Sequence, residues 1–187
     1  MRRVLVDVPA WVDDVAPPDE RYPSLEARMS VAVALARQNV LRDAGGPFGA
    51  AVFERDGGRL VAAGVNSVVR LNNSTLHAEV VALMMAEQAL GSYALGGDGQ
   101  PAHELVTSCE PCAMCLGATL WSGVSRLVCG AAREDAARLR FDEGPVFPES
   151  YGYLEARGVE VRRGILRGEA ASVLELYRSR GGPIYNG

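Results

Sequence analysis

The order of apolar runs along this 187-residue chain predicts an α/β fold, a three-layer α/β/α sandwich built on a five-stranded mixed sheet. Three observations carry that expectation. Runs with helical spacing alternate with short strand-like runs in the order α-β-β-α-β-α-β-α-β-α. The first two strands meet across Asp56-Gly57, a hairpin signal that makes them antiparallel. A hydrophobic content of 48% suffices for one core and asks for no second domain.

Residues 1–23 hold four Pro and several Asp without a steady period, so an extended N-terminal arm is expected there, lying on the surface or reaching a partner chain. Residues 24–187 then form one domain. Its first helix carries Leu25, Met29, Ala32, Val33, Ala36 and Val40 at helical spacing, with Ser24 able to cap and Gly45-Gly46-Pro47 stopping the run. Gly49 to Glu54 and Leu60 to Val65 are the hairpin strands. Asn66 to Ser74 is polar and short-chained, a loop, after which His77 opens a helix bearing Val80, Val81, Leu83, Met84, Ala86 and Leu90. Leu105 to Cys109 reads as a strand, Cys112 to Trp121 as a helix and Arg126 to Cys129 as a strand. Glu134 to Arg140 is a charged helical segment ended by Gly144-Pro145. Val159 to Arg162 is the last strand, and Glu169 to Arg180 an amphipathic helix with Val173, Leu174 and Tyr177 inside. His103 follows a turn-rich loop and is expected at the surface, with no role.

Composition narrows the chemistry. All nineteen basic residues are Arg; without Lys there is no Schiff-base nucleophile and no phosphate-binding P-loop lysine. A net charge of −4, with Arg scattered rather than striped, gives little of the footprint of nucleic-acid binding, so a small neutral substrate fits better than a polyanion. No run reaches the roughly eighteen apolar residues of a membrane span. The apolar stretches near the start are too short and broken for a signal peptide, which makes the cytoplasm the expected compartment for four cysteines.

Two of those cysteines lie in TSCEPCAMCLG, Thr107 to Gly117. Cys112 and Cys115 stand two residues apart behind Pro111, at the expected start of a helix whose amides and dipole favour thiolate, the form that binds metal. With His77 they make three ligands. Zinc held by three protein ligands keeps a fourth position open, as in catalytic sites, and Glu79 lies where it could move a water proton. Residues two apart on a regular helix point to nearly opposite sides, so His77 should sit at or just before the first turn if it and Glu79 face one metal. A closed structural site using Cys109 as fourth ligand is the alternative; Cys109, however, should end a strand, with Pro111 intervening before the helix. An iron-sulfur cluster is less suited, because it usually takes four Cys and Cys129 closes an apolar strand-like run.

The H-x-E then P-C-x-x-C order is the signature of zinc nucleobase deaminases. Together with GGPFGAAVF at Gly45 to Phe53, the Gly64-Val65-Asn66 turn, HAEVVAL at His77 to Leu83, Trp121 and FDEGP at Phe141 to Pro145, it resembles the bacterial guanine deaminases of the cytidine deaminase superfamily. The N-terminal stretch and Gly181 to Gly187 resemble a subgroup that also acts on aminated triazines. The resemblance implies a cytidine-deaminase-like fold and one Zn2+ per chain on His77, Cys112 and Cys115, with Glu79 as proton shuttle. It implies that Asn66 holds a ring edge of the base, that Phe48 and Trp121 line the pocket, and that the Ala78 N–H contacts substrate. Glu143 becomes a second acid near the departing amine. A homodimer is implied, with C-terminal segments that close active sites, often exchanged between subunits, and Tyr185 as the lid aromatic. The substrate so implied is a free nucleobase, most simply guanine going to xanthine and ammonia, with cytosine or an aminotriazine such as ammeline as alternatives. A non-catalytic zinc-stabilised binding module is the reading from a different class; it would need closed zinc and a basic face.

Overall fold

The computed structural model describes residues 4–185. Five strands form one sheet in the order β2-β1-β3-β4-β5, from β1 (Gly49–Glu54), β2 (Leu60–Val65), β3 (His103–Cys109), β4 (Arg126–Ala131) and β5 (Glu160–Arg162). The hairpin strands pair antiparallel, β1 also pairs antiparallel with β3, and β3-β4-β5 run parallel. The sheet is therefore mixed, as its sequence order requires: a hairpin closes two antiparallel strands, whereas parallel neighbours need a helical crossover.

Strand alternation divides the core. Ala51, Phe53, Val106 and Val128 face one layer, containing α1 (Trp11–Val15), α2 (Leu25–Leu41) and α8 (Arg167–Ser179). Ala50, Val52, Leu105, Leu127 and Cys129 face the other, containing α4 (Ala78–Leu90), α5 (Ala113–Ser122) and α7 (Pro148–Ala156). Both faces are covered, which explains why every residue of β3 is buried. Ser24 caps α2 through its hydroxyl, which accepts from the Ala27 amide at 3.1 Å. Two short helices complete the chain, α3 (Val68–Leu71) and α6 (Arg133–Ala137). No helix among the described residues is long and apolar enough to cross a membrane.

The structure corrects several expectations. The N-terminal stretch is not simply extended: α1 anchors it through buried Val12 and Ala16, one turn apart, and Arg42 lies over the Trp11 ring at 5.4 Å. Five residues are too few for a helical period to show. Beyond α1, Tyr22 N–H donates to Gly58 O and Leu60 N–H to Glu20 O, each at 2.8 Å, so the arm covers the start of edge strand β2. The expected loop after Asn66 contains α3. Helix α7 was not foreseen because Gly152 interrupts it and only Tyr151 and Leu154 face inward. His103 is buried rather than exposed; as the first residue of β3 it donates Nδ1–H to Leu95 O at 2.7 Å.

Candidate active site

The C-terminal ends of β2 and β3 and the N-terminal ends of α4 and α5 converge on one point. Cys112 is the N-cap residue of α5 in extended backbone, and Cys115 lies in its first turn. His77 is likewise the N-cap residue of α4, with φ −67° and ψ 156°. That non-helical backbone is what lets His77 share a focus with Glu79, two residues on. The His77 Nδ1 lies 3.5 Å from Cys112 Sγ and 3.6 Å from Cys115 Sγ, and the three ligand atoms all fall within 4.8 Å of one another. A tetrahedron with ordinary zinc–sulfur and zinc–nitrogen bonds has a sulfur–nitrogen edge of about 3.6 Å, so the donor set fits zinc without rearrangement. Cys109 is outside the group: it ends β3, and its thiol donates to Ala132 O at 3.8 Å. The geometry thus groups His77, Cys112 and Cys115 and leaves Cys109 outside that set.

Charge in the site follows from burial and from the thiolate. The hydrogen bond from Cys115 pulls Cys112 down to about 4, against burial and with help from His77. Cys115 is pushed up by the same bond and by burial. Burial pulls His77 down, but the Cys112 hydrogen bond and the charges of Glu79, Cys112 and Glu143 outweigh it and the net shift is upward. Glu79, in the first turn of α4 and 6% exposed, is raised by burial and then by Cys112. Glu143 is raised to about 8, again first by burial and then by Cys112 and Glu79. Two carboxyls whose pKa values are both raised by burial are suited to acid–base work.

Glu143 reaches the site on a built loop. Its carbonyl accepts the Ala113 amide at 2.9 Å, satisfying an N–H at the start of α5, and Asp142 Oδ1 accepts the Gly144 amide at 2.8 Å across the turn. Asn66 stands at the pocket wall. Its Oδ1 accepts the Val68 amide at 3.3 Å, which fixes the turn and the orientation of the amide, while Nδ2 is buried without a partner at the pocket wall. Phe48 lines the same pocket and packs edge-on to Phe141, with centroids 5.1 Å apart. Ala78 is fully buried at the first helical position of α4, where no intrahelical acceptor exists for its N–H.

Tyr185 closes the pocket from above. Its ring centroid lies 6.5 Å from that of His77 and 5.2 Å from that of Phe141, and its hydroxyl is buried without a partner. Gly46 makes room for it, since a Cβ there would stand 2.1 Å from the tyrosine oxygen. The tail thus covers its own chain's site, leaving a void of about 10 Å³. Asn186 and Gly187, the end of the expected lid, lie outside the described residues. A roomier cleft of about 320 Å³ lies beyond Gly45 between the end of α2 and α8, but holds none of the metal-ligand group.

At Trp121 and Glu110 the pocket departs from what the resemblance implies. Trp121 is 79% exposed near the end of α5 and does not line the pocket, because Cys115, Leu116, Thr119 and Ser122 take the inward face of that helix. Glu110 does line the pocket, and only its place before Pro111-Cys112 could have flagged it.

Residues 23–131 match the family model described as the cytidine and deoxycytidylate deaminase zinc-binding region. The guanine deaminase of Bacillus subtilis (strain 168) is 40% identical over 124 residues, which span 66% of this chain and 75% of that protein. A solved guanine deaminase from Nitrosomonas europaea is 45% identical with a TM-score of 0.90, covering 95% of this chain and 97% of that one. A further solved structure, in complex with 2,6-diaminopurine, is 46% identical with a TM-score of 0.91, covering 97% and 96% of the two chains.

Proposed function

The chain belongs to the cytidine and deoxycytidylate deaminase zinc-binding family, and from that premise we propose that it hydrolyses guanine to xanthine and ammonia. It is a zinc-dependent hydrolytic deaminase of cytidine-deaminase-like fold. The observation that carries the reading is the convergence, on an open three-ligand set, of two raised carboxyls and an unpartnered carboxamide N–H.

His77, Cys112 and Cys115 would hold the metal, which when bound supplies the Lewis acidity that makes water a nucleophile near neutral pH. Glu79 would move a proton from the attacking water to the ring nitrogen beside the amine-bearing carbon, which makes the carbon electrophilic. A carbon–oxygen bond forms there. The carbon–nitrogen bond then breaks as Glu143, raised to about 8, donates a proton to the departing amine, and the proton shed by the new hydroxyl as it becomes the carbonyl reloads that carboxylate. Asn66 Nδ2 donates to an acceptor on the ring edge, Phe48 packs against the base, and Tyr185 excludes water once the tail is down.

The polypeptide leaves too little room for a purine beneath Tyr185, so the tail must lift to admit substrate. Residues 24–187 act in this reading as one deaminase unit with a lid tail. A homodimer is supported by α5, which presents Met114 and Trp121, seven residues apart, to solvent. That gives Trp121 a place at a subunit face. Four free cysteines suit the cytoplasm.

An ammonia-release screen on the zinc-loaded protein tests the substrate. Guanine should exceed cytosine, ammeline, adenine and guanosine in kcat/KM; preference for cytosine or ammeline would move the assignment within the family. Absence of turnover on all five, with full zinc, would favour the binding module.

A further inference from the structure

Glu110 has the least conspicuous position in the thiolate motif, between Cys109 and Pro111. Its carboxylate is nonetheless the point at which three separate elements meet. Oε2 accepts the backbone amide of Arg133, at the start of α6, at 3.3 Å. The same oxygen accepts the hydroxyl of Tyr151, on α7, at 3.4 Å. Oε1 faces Arg163 Nη1, between β5 and α8, at 3.6 Å, and that guanidinium lies 4.9 Å from the centre of the Tyr151 ring. Glu110's own backbone is tied to the sheet, its N–H donating to Ala131 O at 2.9 Å.

What these partners do next gives the arrangement its consequence. The Arg133 guanidinium donates to Val146 O, at the far end of the loop that carries Glu143. Tyr151 belongs to the helix that the loop feeds. The loop is therefore fixed at one point by Glu143 O on Ala113 N–H and at its exit by Arg133 and α7, both of which converge on Glu110. The residue two places before Cys112 thus grips both supports of the Glu143 loop.

We propose that Glu110 is a positioning residue: through Arg133 and Tyr151 it locks the Glu143 loop in register with the Cys112 loop, and so sets where the Glu143 carboxyl stands over the metal-ligand group. Its oxygens are engaged by protein donors, so it acts through another residue and does not contact the reacting atoms. The inference rests on the reading that Glu143 passes a proton to the leaving amine. A misplacement near 1 Å costs about a hundredfold in rate in well-oriented sites, which bounds the effect.

The test is a double-mutant cycle on the zinc-loaded protein. Glu110→Ala should lower kcat about 10- to 100-fold, with KM within about twofold and zinc retained. Glu110→Gln, which keeps one acceptor oxygen and the shape, should recover most of that loss. On a Glu143→Gln background the further cost of Glu110→Ala should shrink below about threefold, because a residue that acts only by placing Glu143 has nothing left to place. Tyr151→Phe, which removes one hydroxyl at constant shape, should show a smaller loss of about two- to fivefold that vanishes on the same background; it carries the test if Glu110→Ala fails to fold. Full additivity with Glu143→Gln would overturn the proposal in favour of a general structural role, and a raised KM at unchanged kcat would overturn it in favour of direct substrate contact. Glu143→Gln at the wild-type rate would remove the Glu143 reading itself, and this inference with it.

Discussion

Both ends of the sheet bury carboxylates, and they treat them in opposite ways. Where β3 and β4 begin, Glu104 is 0% exposed and is gripped by Arg28 and Arg126. Its neighbours follow suit, Glu54 with Arg59 and Glu160 with Arg55. Where β3 ends, Glu79 is also buried and Glu143 half-buried, yet among the described residues no arginine stands within ion-pair distance of either. A guanidinium keeps its charge at any ordinary pH and holds a carboxylate ionised. The first end is thus charge-paired, whereas the carboxyls at the second stand without a guanidinium. The difference teaches that burial alone does not make a working acid; withholding the arginine does.

The largest disruption is to the metal group on which the second end is built. Cys112→Ser or Cys115→Ser should lose zinc and all measurable deamination, whereas Cys109→Ser should keep about one zinc per chain by metal analysis. Zinc lost from all three variants would return Cys109 to the ligand set and close the site.

Next comes Glu79, which separates proton movement from stability. Glu79→Gln should retain zinc and lose about 100- to 10,000-fold in kcat, the usual range for a general acid–base group. Urea unfolding should find it no less stable, since the change removes a carboxyl that burial disfavours in its charged form. Near-normal ammonia release from the zinc-loaded variant would sink the mechanism.

Glu104→Ala should do the reverse. It leaves Arg28, itself buried, with carbonyl partners at Tyr22 and Arg55 but no counter-charge, and breaking such a pair costs about 3–5 kcal/mol. Denaturant unfolding should show that loss while the folded fraction keeps its zinc and its KM. A loss of zinc without a loss of stability would mean that the two ends are not independent.

The degree to which the two ends are legible in the sequence also differs, for a physical reason. The candidate metal ligands and Glu79 lie at or just inside helix starts, where the H-x-E and C-x-x-C spacings make them legible. Asn66, Phe48 and Glu143 could be placed only by resemblance, because each arrives on a loop whose course depends on distant packing. The sheet is legible from the hairpin and the alternation of runs, but α1 and α7 are too short or too interrupted to show a period. Exposure misleads twice. Trp121 looks like pocket lining yet faces outward on a helix whose other face is occupied, and His103 looks like a loop residue yet starts a strand buried on both faces. The Glu104 network is invisible in sequence, since Arg28 and Arg126 stand 76 and 22 residues from it.

The smallest effect gives the sharpest test of the contrast, because it has opposite signs at the two ends. Glu54 is held below its ordinary 4.5 by the hydrogen bond from Arg59, against a contrary push from burial and with the charges of Arg59 and Arg21 assisting. A carboxyl depressed on folding stabilises fully above its unfolded value, and that contribution fades as pH falls through the lower, folded value. Arg59→Gln should therefore cost no more than about 1 kcal/mol at pH 7, the range of partly exposed pairs, with the difference from the parent closing as pH falls through the depressed folded value. Glu143 runs the other way. Raised to about 8 chiefly by burial, it imposes no penalty while protonated in both states, and a growing one as pH climbs from its ordinary 4.5 towards 8. Glu143→Gln should then match the parent in stability at acid pH and exceed it above pH 8, where Arg59→Gln still falls short of it. If both variants shifted stability in the same direction across that span, Glu143 would be ionised and partnered like Glu54, and the distinction between the two ends would fail.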